Sequence, residues 1–269
     1  MKEKKPVALI TGASSGIGLA VAERLYHAGY TVYGTSRKPV REGQFYFNML
    51  TLDVTRDESV SGVVNELIAR EGCIDLLVNN AGFGLEPAAA EESSIAQAQS
   101  LFDTNFMGIV RMVRAVLPHM RARKQGRIIN IGSVLGLVPM PYVALYAASK
   151  HAVEGYTESL DHEMRTEGIR VSVIEPAYMR TQFEANNVPP DAPLDVYKAR
   201  RSALKIIVSD ALKSADEPDV VARVVVGAAQ DRPPRTRYTA GKTAAKLAFM
   251  RRFLTASLLD KGIRKSLGL

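Results

Sequence analysis

Tyr146 and Lys150 stand four positions apart in Leu145-Tyr146-Ala147-Ala148-Ser149-Lys150-His151-Ala152. On a helix that spacing sets the phenol and the ammonium on one face, one turn apart. A free phenol, with a pKa of about 10, does little acid–base work at neutral pH. A neighbouring cation favours the phenolate and is expected to draw that value down. The pair is suited to passing a proton to or from a substrate oxygen. Such pairs also occur on solvated helices, so the rest of the chain must decide.

A second group able to do chemistry is Thr11-Gly12-Ala13-Ser14-Ser15-Gly16-Ile17-Gly18, directly after the apolar run Val7-Ala8-Leu9-Ile10. Three glycines between a strand and a helix let the backbone turn tightly and approach a pyrophosphate, which the helix N-terminus stabilises. The spacing G-x-x-x-G-x-G is one residue longer between its first two glycines than the usual dinucleotide fingerprint. About 20 residues on, NAD sites carry an acid for the ribose 2′-hydroxyl. Here that stretch reads Gly34-Thr35-Ser36-Arg37-Lys38-Pro39, with no acid and two cations. A guanidinium pairs with a 2′-phosphate in a fork geometry, so NADP(H) is expected over NAD(H), with Arg37 as the selecting residue.

These residues need a frame to position them. Strands are expected at residues 7–10, 31–35, 47–52, 74–78, 127–131 and 170–174, with a short last one at 237–240. Helices are expected at 15–28, 57–70, 95–121, 146–166, 194–211 and 217–231. Strict alternation of strand and helix signals a parallel sheet covered on both faces. The α/β fold class follows, a three-layer doubly wound sheet (the Rossmann fold) in a single domain over 1–269. Residues 6–181 form its cofactor and catalytic core. The Pro-rich, polar stretch 182–216 breaks the rhythm and is expected to cover the substrate.

At 269 residues, with 46% hydrophobic and 23% charged residues, the chain fits one large soluble domain. Its single cysteine, Cys73, forms no intrachain disulfide or Cys cluster and suits a reducing, cytoplasmic setting. The apolar run at 7–10 is too short for a signal core or a membrane span. The net charge of +7 belongs to the tail: residues 235–269 hold nine cations against Asp260, and the rest of the chain sums to −1. No nucleic-acid reader motif accompanies that charge. Leu247, Met250, Phe253 and Leu254 alternate with Lys246, Arg251 and Arg252, a basic amphipathic helix. Docking on the protein or a partner subunit is expected of it, with weak association at an anionic membrane surface as the alternative.

Taken together, Thr11 to Gly18, Asp53, Asn79-Asn80-Ala81-Gly82, Asn105, Ser133 and Tyr146 with Lys150 closely resemble the classical short-chain dehydrogenase/reductase family. The resemblance implies that Tyr146 is the general acid in reduction and the base in oxidation, and that Lys150 tunes it and holds the nicotinamide ribose. It implies that Ser133 binds the substrate oxygen and that Asn105 holds a water in a proton relay. It further implies cofactor binding by Gly12, Ser14, Ser15, Gly16, Ile17, Gly18, Arg37, Asp53, Val54, Asn80, Ala81 and Gly82. After the sixth strand Pro176, Met179 and Thr181 would contact the nicotinamide. This chain has Ala177 where the family usually has Gly, so the path to Thr181 is in question, because Ala resists positive φ.

The implied function is an NADP(H)-dependent oxidoreductase acting on a small-molecule carbonyl/alcohol pair. The tail stretch Arg237-Tyr238-Thr239-Ala240-Gly241-Lys242 and the following Arg-Arg-Phe-Leu resemble steroid- and retinol-type members, which points to a lipophilic substrate. A reductase of acyl-type or small carbonyl compounds and a silent NADP(H)-binding regulator are the alternatives. A homodimer or homotetramer is the family tendency. His27, His119, His151 and His162 show no metal spacing, and no metal is expected. Met140 and Tyr142 either line the substrate pocket or pack.

Overall fold

The computed structural model describes residues 4–41 and 43–269; residues 1–3 of the basic N-terminus lie outside that range. Seven strands form one sheet: β1 Val7–Ile10, β2 Thr31–Ser36, β3 Asn48–Thr51, β4 Leu76–Asn79, β5 Gly126–Ile131, β6 Ile169–Pro176 and β7 Arg237–Ala240. All pairs are parallel, in the order β3-β2-β1-β4-β5-β6-β7. β1 and β4 are buried along their whole length, as continuous apolar runs between two helical layers must be. The strand order reverses direction between β1 and β4, which opens a crevice at their carboxyl ends. The glycine turn after Ile10 and the Asn80-Ala81-Gly82 segment line that crevice.

The helices are α1 Gly16–His27, α2 Asp57–Glu71, α3 Ile95–Phe102, α4 Gly108–Ala122, α5 Ala144–Met164, α6 Lys198–Lys213, α7 Pro218–Gln230, α8 Lys242–Phe253 and α9 Ala256–Ser266. On one face of the sheet Val21 and Leu25 of α1 and Val221 and Val225 of α7 bury Ile10, Val32 and Val78. On the other, Val60 and Leu67 of α2, Met112 and Val116 of α4, and Val153 and Leu160 of α5 bury Leu9, Leu77, Ile128 and Val171. The three-layer architecture expected from the alternation is the one observed.

Three elements differ from expectation. The helix expected over 95–121 is split by a π-helical segment, Asp103–Met107, which contains the buried Asn105. The basic tail forms two helices, broken where Leu254 turns extended and Thr255 caps α9 by accepting from the Leu258 N–H. Ala244, Leu259 and Leu267 of the tail are buried, and α8 packs against β7. Residues 182–216 contain two 3₁₀ turns before α6, which begins at Lys198.

Candidate active site

The glycine turn is shaped by contacts a side chain would destroy. Gly12 has φ +68°, and a Cβ at Gly18 would fall 2.1 Å from the Gly12 carbonyl oxygen. Ser14 and Ser15 are exposed at the start of α1, and the Ser15 side chain caps nothing. Backbone donors at the helix N-terminus thus remain available for an anion, and the close backbone approach fits a dinucleotide's pyrophosphate. Arg37 follows β2 and is exposed. Asp53 accepts from the Thr55 N–H at 3.0 Å and hydroxyl at 2.7 Å. Those bonds, with the charges of Arg37 and Arg56, hold its carboxyl below the usual range despite burial.

Two residues expected to touch the cofactor have other duties. The Asn80 amide donates to the carbonyls of Thr11 and Gly12, each at 2.9 Å, so its side chain braces the turn. Val54 is buried in the core, and a Cβ on Gly108 would come 2.8 Å from its Cγ2. Its side chain packs α4 against the sheet. Ala81 lies against Gly12, and Gly82 against the Asn105 side chain.

Tyr146 lies on the first turn of α5, with Ser133 in the turn after β5 and the Lys150 side chain buried beside them. Lys150 Nζ donates to the Ile131 carbonyl at 3.0 Å and lies 5.7 Å from the Tyr146 ring centroid. Burial pulls the Lys150 pKa down to about 8, with the Glu154 charge opposing. The expected depression of the phenol by Lys150 is not observed. Burial pushes Tyr146 well above the ordinary phenol value; the Glu184 charge adds to the rise, and the Ser133 hydroxyl opposes it. The cation is itself desolvated and points at a carbonyl, which blunts its pull on the phenol. Asn105 is buried in the π segment, where its amide donates to the Phe83 carbonyl at 2.9 Å and its Oδ1 accepts from the Phe83 N–H at 3.0 Å.

Beyond β6 the chain needs no left-handed residue: Ala177 is not among the non-glycine positions with positive φ. Substitution of the usual glycine therefore leaves the path intact. A Cβ on Gly16 would lie 3.4 Å from Thr181 Cβ, so Thr181 rests on the glycine turn. Met179 is buried in the core. The following segment is tied across the cleft. Val188 N–H donates to Gly84 at 3.0 Å, and Glu86 N–H to Val188 at 2.9 Å. Fully buried Glu92 pairs with Arg201 of α6 and accepts from the N–H groups of Leu194 and Ala89, each at 2.9 Å. Tyr142 has φ +67° and takes Arg200 over its ring at 6.0 Å, placing it at the junction with α6.

Sequence reading passed over Tyr178, Phe183, Glu184 and Asn187. Phe183 sets its ring 6.1 Å from that of Tyr146, and Glu184 bears on both Tyr146 and Tyr178. Their only signal was position, just past Pro176 in a stretch without periodicity. His151 points back to the Ala147 carbonyl at 2.9 Å.

Residues 6–191 match the family model of the short chain dehydrogenases. The chain belongs to that family. Among curated short-chain dehydrogenase relatives, a 3-ketodihydrosphingosine reductase of Bacteroides thetaiotaomicron is 45% identical over 67% of this chain and 66% of its own length. Retinol dehydrogenase 8 of Bos taurus is 41% identical over 68% of this chain and 62% of its own. The chain thus spans less than two thirds of the length of these relatives. A solved structure of ElxO with NADP bound covers 90% of this short-chain dehydrogenase and 100% of itself, at 27% identity and a TM-score of 0.77.

Proposed function

We propose that the chain transfers hydride between NADP(H) and a carbonyl/alcohol pair on a lipophilic substrate. The carrying observation is the packing of the Ser133 turn against the α5 helix that carries Tyr146, with buried Lys150 Nζ 5.7 Å from the Tyr146 ring centroid. When bound, NADP(H) supplies or accepts the hydride. Tyr146 would give a proton to the substrate oxygen in reduction and take it in oxidation. Ser133 would hold that oxygen as charge develops, with its own Oγ already fixed by the Leu135 N–H at 3.1 Å. Lys150 would keep the phenol oriented, and Asn105, fixed by Phe83, would close the proton path behind it.

The glycine turn would take the pyrophosphate, Arg37 the 2′-phosphate and Asp53 the adenine, while Pro176 and Thr181 flank the nicotinamide. The NADP bound to ElxO supports the choice of dinucleotide. A sphingoid reductase and a retinol dehydrogenase among the relatives support a lipophilic substrate covered by residues 182–216. Exposed Phe249, Phe253 and Leu258 among the tail's cations support weak attachment to an anionic membrane surface. Buried, unpaired Cys73 suits the cytoplasm, and assembly as a homodimer or homotetramer completes the proposal.

The test is a panel of long-chain, retinoid and steroid ketones, followed by NADPH absorbance. Tyr146→Phe is expected to lower kcat/KM by about 10²- to 10⁴-fold with NADPH affinity retained. Undiminished reduction by that variant overturns the mechanism, and faster turnover with NADH than with NADPH overturns the cofactor assignment.

A further inference from the structure

Glu184 opens the 3₁₀ turn Glu184–Asn186 in the segment that crosses the cleft. Its charge raises the phenols of both Tyr146 and Tyr178, the latter to about 12 after burial. The carboxyl belongs to the residue next to Phe183, whose ring centroid lies 6.1 Å from that of Tyr146. The Asn187 amide donates to Glu184 Oε2 at 2.7 Å. The Val188–Gly84 and Glu86–Val188 bonds and the contact of Asn187 with Gly84 hold this group in register.

Among the described residues Glu184 makes no ion pair, and Arg180 four positions back is turned to Glu217 at 2.7 Å. Burial pushes the Glu184 carboxyl up, opposed by the Asn187 bond. Asn187 Oδ1 is itself buried without a donor. A half-buried carboxylate costs free energy unless a donor or cation reaches it. The surroundings supply acceptors and one amide, and lack positive charge. A ligand bringing N–H donors and a positive charge would complete them.

We propose that Glu184, oriented by Asn187, is a subsite for a protonated amine carried by the substrate close to the carbonyl that Ser133 and Tyr146 hold. The favoured substrate class is then the long-chain amino ketone and its amino alcohol. This rests on the hydride-transfer reading above and adds a specificity to it. Seating the ammonium also cancels the carboxylate's effect on the phenol, so the amine would ease proton movement at Tyr146.

The experiment compares a long-chain 2-amino-3-ketone with the same chain lacking the amine, in wild type and Glu184→Gln. Wild type is expected to favour the amino ketone at least tenfold in kcat/KM. Glu184→Gln should remove that preference and leave the plain ketone within about threefold. Equal use of both ketones by wild type, or a preference that survives in the variant, overturns the subsite. A loss of NADP+ affinity in the variant with substrate preference intact also overturns it, since the carboxylate would then serve the cationic nicotinamide. Calorimetry of the amino alcohol and the plain alcohol on NADP+-loaded protein reads the subsite without turnover. Tighter amine binding that Glu184→Gln abolishes, with neither ketone reduced, upholds the subsite and overturns the hydride-transfer reading alone. Equal binding of the two alcohols overturns the subsite.

Discussion

Lys150 is an ammonium held where water is scarce. Its pKa falls from an ordinary 10.5 to about 8, which disfavours the charged form by about 3 kcal/mol. Between those values the unfolded chain binds the extra proton, so stability rises with pH across that window, and below about 8 the full cost is present. Lys150→Met should therefore raise stability at pH 7 by about 1–2 kcal/mol once the lost bond to Ile131 is counted. That is about 3–6 °C in Tm, a gain that shrinks as pH rises from 8 to 10.5, while activity collapses. Thermal melts of both proteins across pH check it; a lower Tm at pH 7 sinks the idea. Residue type and spacing drew attention to Tyr146 and Lys150, and the family resemblance added Ser133; the structure brings the elements that carry them together. The direction of the phenol's shift was not legible, because it depends on burial and on Glu184, which no spacing rule connects to Tyr146.

At the scale of elements, periodicity located every strand to within a residue or two and every long helix. It missed the π segment because Leu101, Ile109, Met112 and Val116 keep an apolar face through the widened turn. The only trace was a polar Asn105 on the buried side. Single-turn π segments gather at functional sites, and here the irregularity fits the Asn105 amide to Phe83. The crossing segment was legible only as an absence of pattern, because its order comes from long-range bonds. Chief among these is Glu92, which joins α6 to residues 89 and 194. Breaking a buried pair by removing one partner costs about 3–5 kcal/mol. Arg201→Ala is therefore expected to speed hydrogen exchange selectively over residues 188–204 and to raise KM about tenfold with kcat little changed. Faster exchange spread evenly over the sheet would show that the pair supports the whole fold and not the cover.

The molecule as a whole joins an almost neutral body to a basic tail, and the structure divides that tail's residues between two surfaces. Ala244, Leu259 and Leu267 fasten it to the body, and the Arg200 guanidinium donates to the Gly268 carbonyl at 3.3 Å. Phe249 and Phe253, whose ring centroids are 4.6 Å apart, remain outside. Composition predicted the amphipathic character, but the break at Leu254 separates faces that a single helix would have aligned.

Thr181 resting on Gly16 bears on the order in which the proposed reaction's ligands should come and go. The root of the segment proposed to cover the substrate is seated on the glycine turn. A dinucleotide bound at that turn would lie beneath this segment, so the turn is expected to fill before the substrate enters and to empty after the product leaves. NADPH should accordingly enter first and NADP+ leave last. Initial-rate studies should find NADP+ competitive against NADPH and the alcohol product noncompetitive against the ketone. An alcohol that competes simply with both the ketone and NADPH would mean that the two ligands come and go independently.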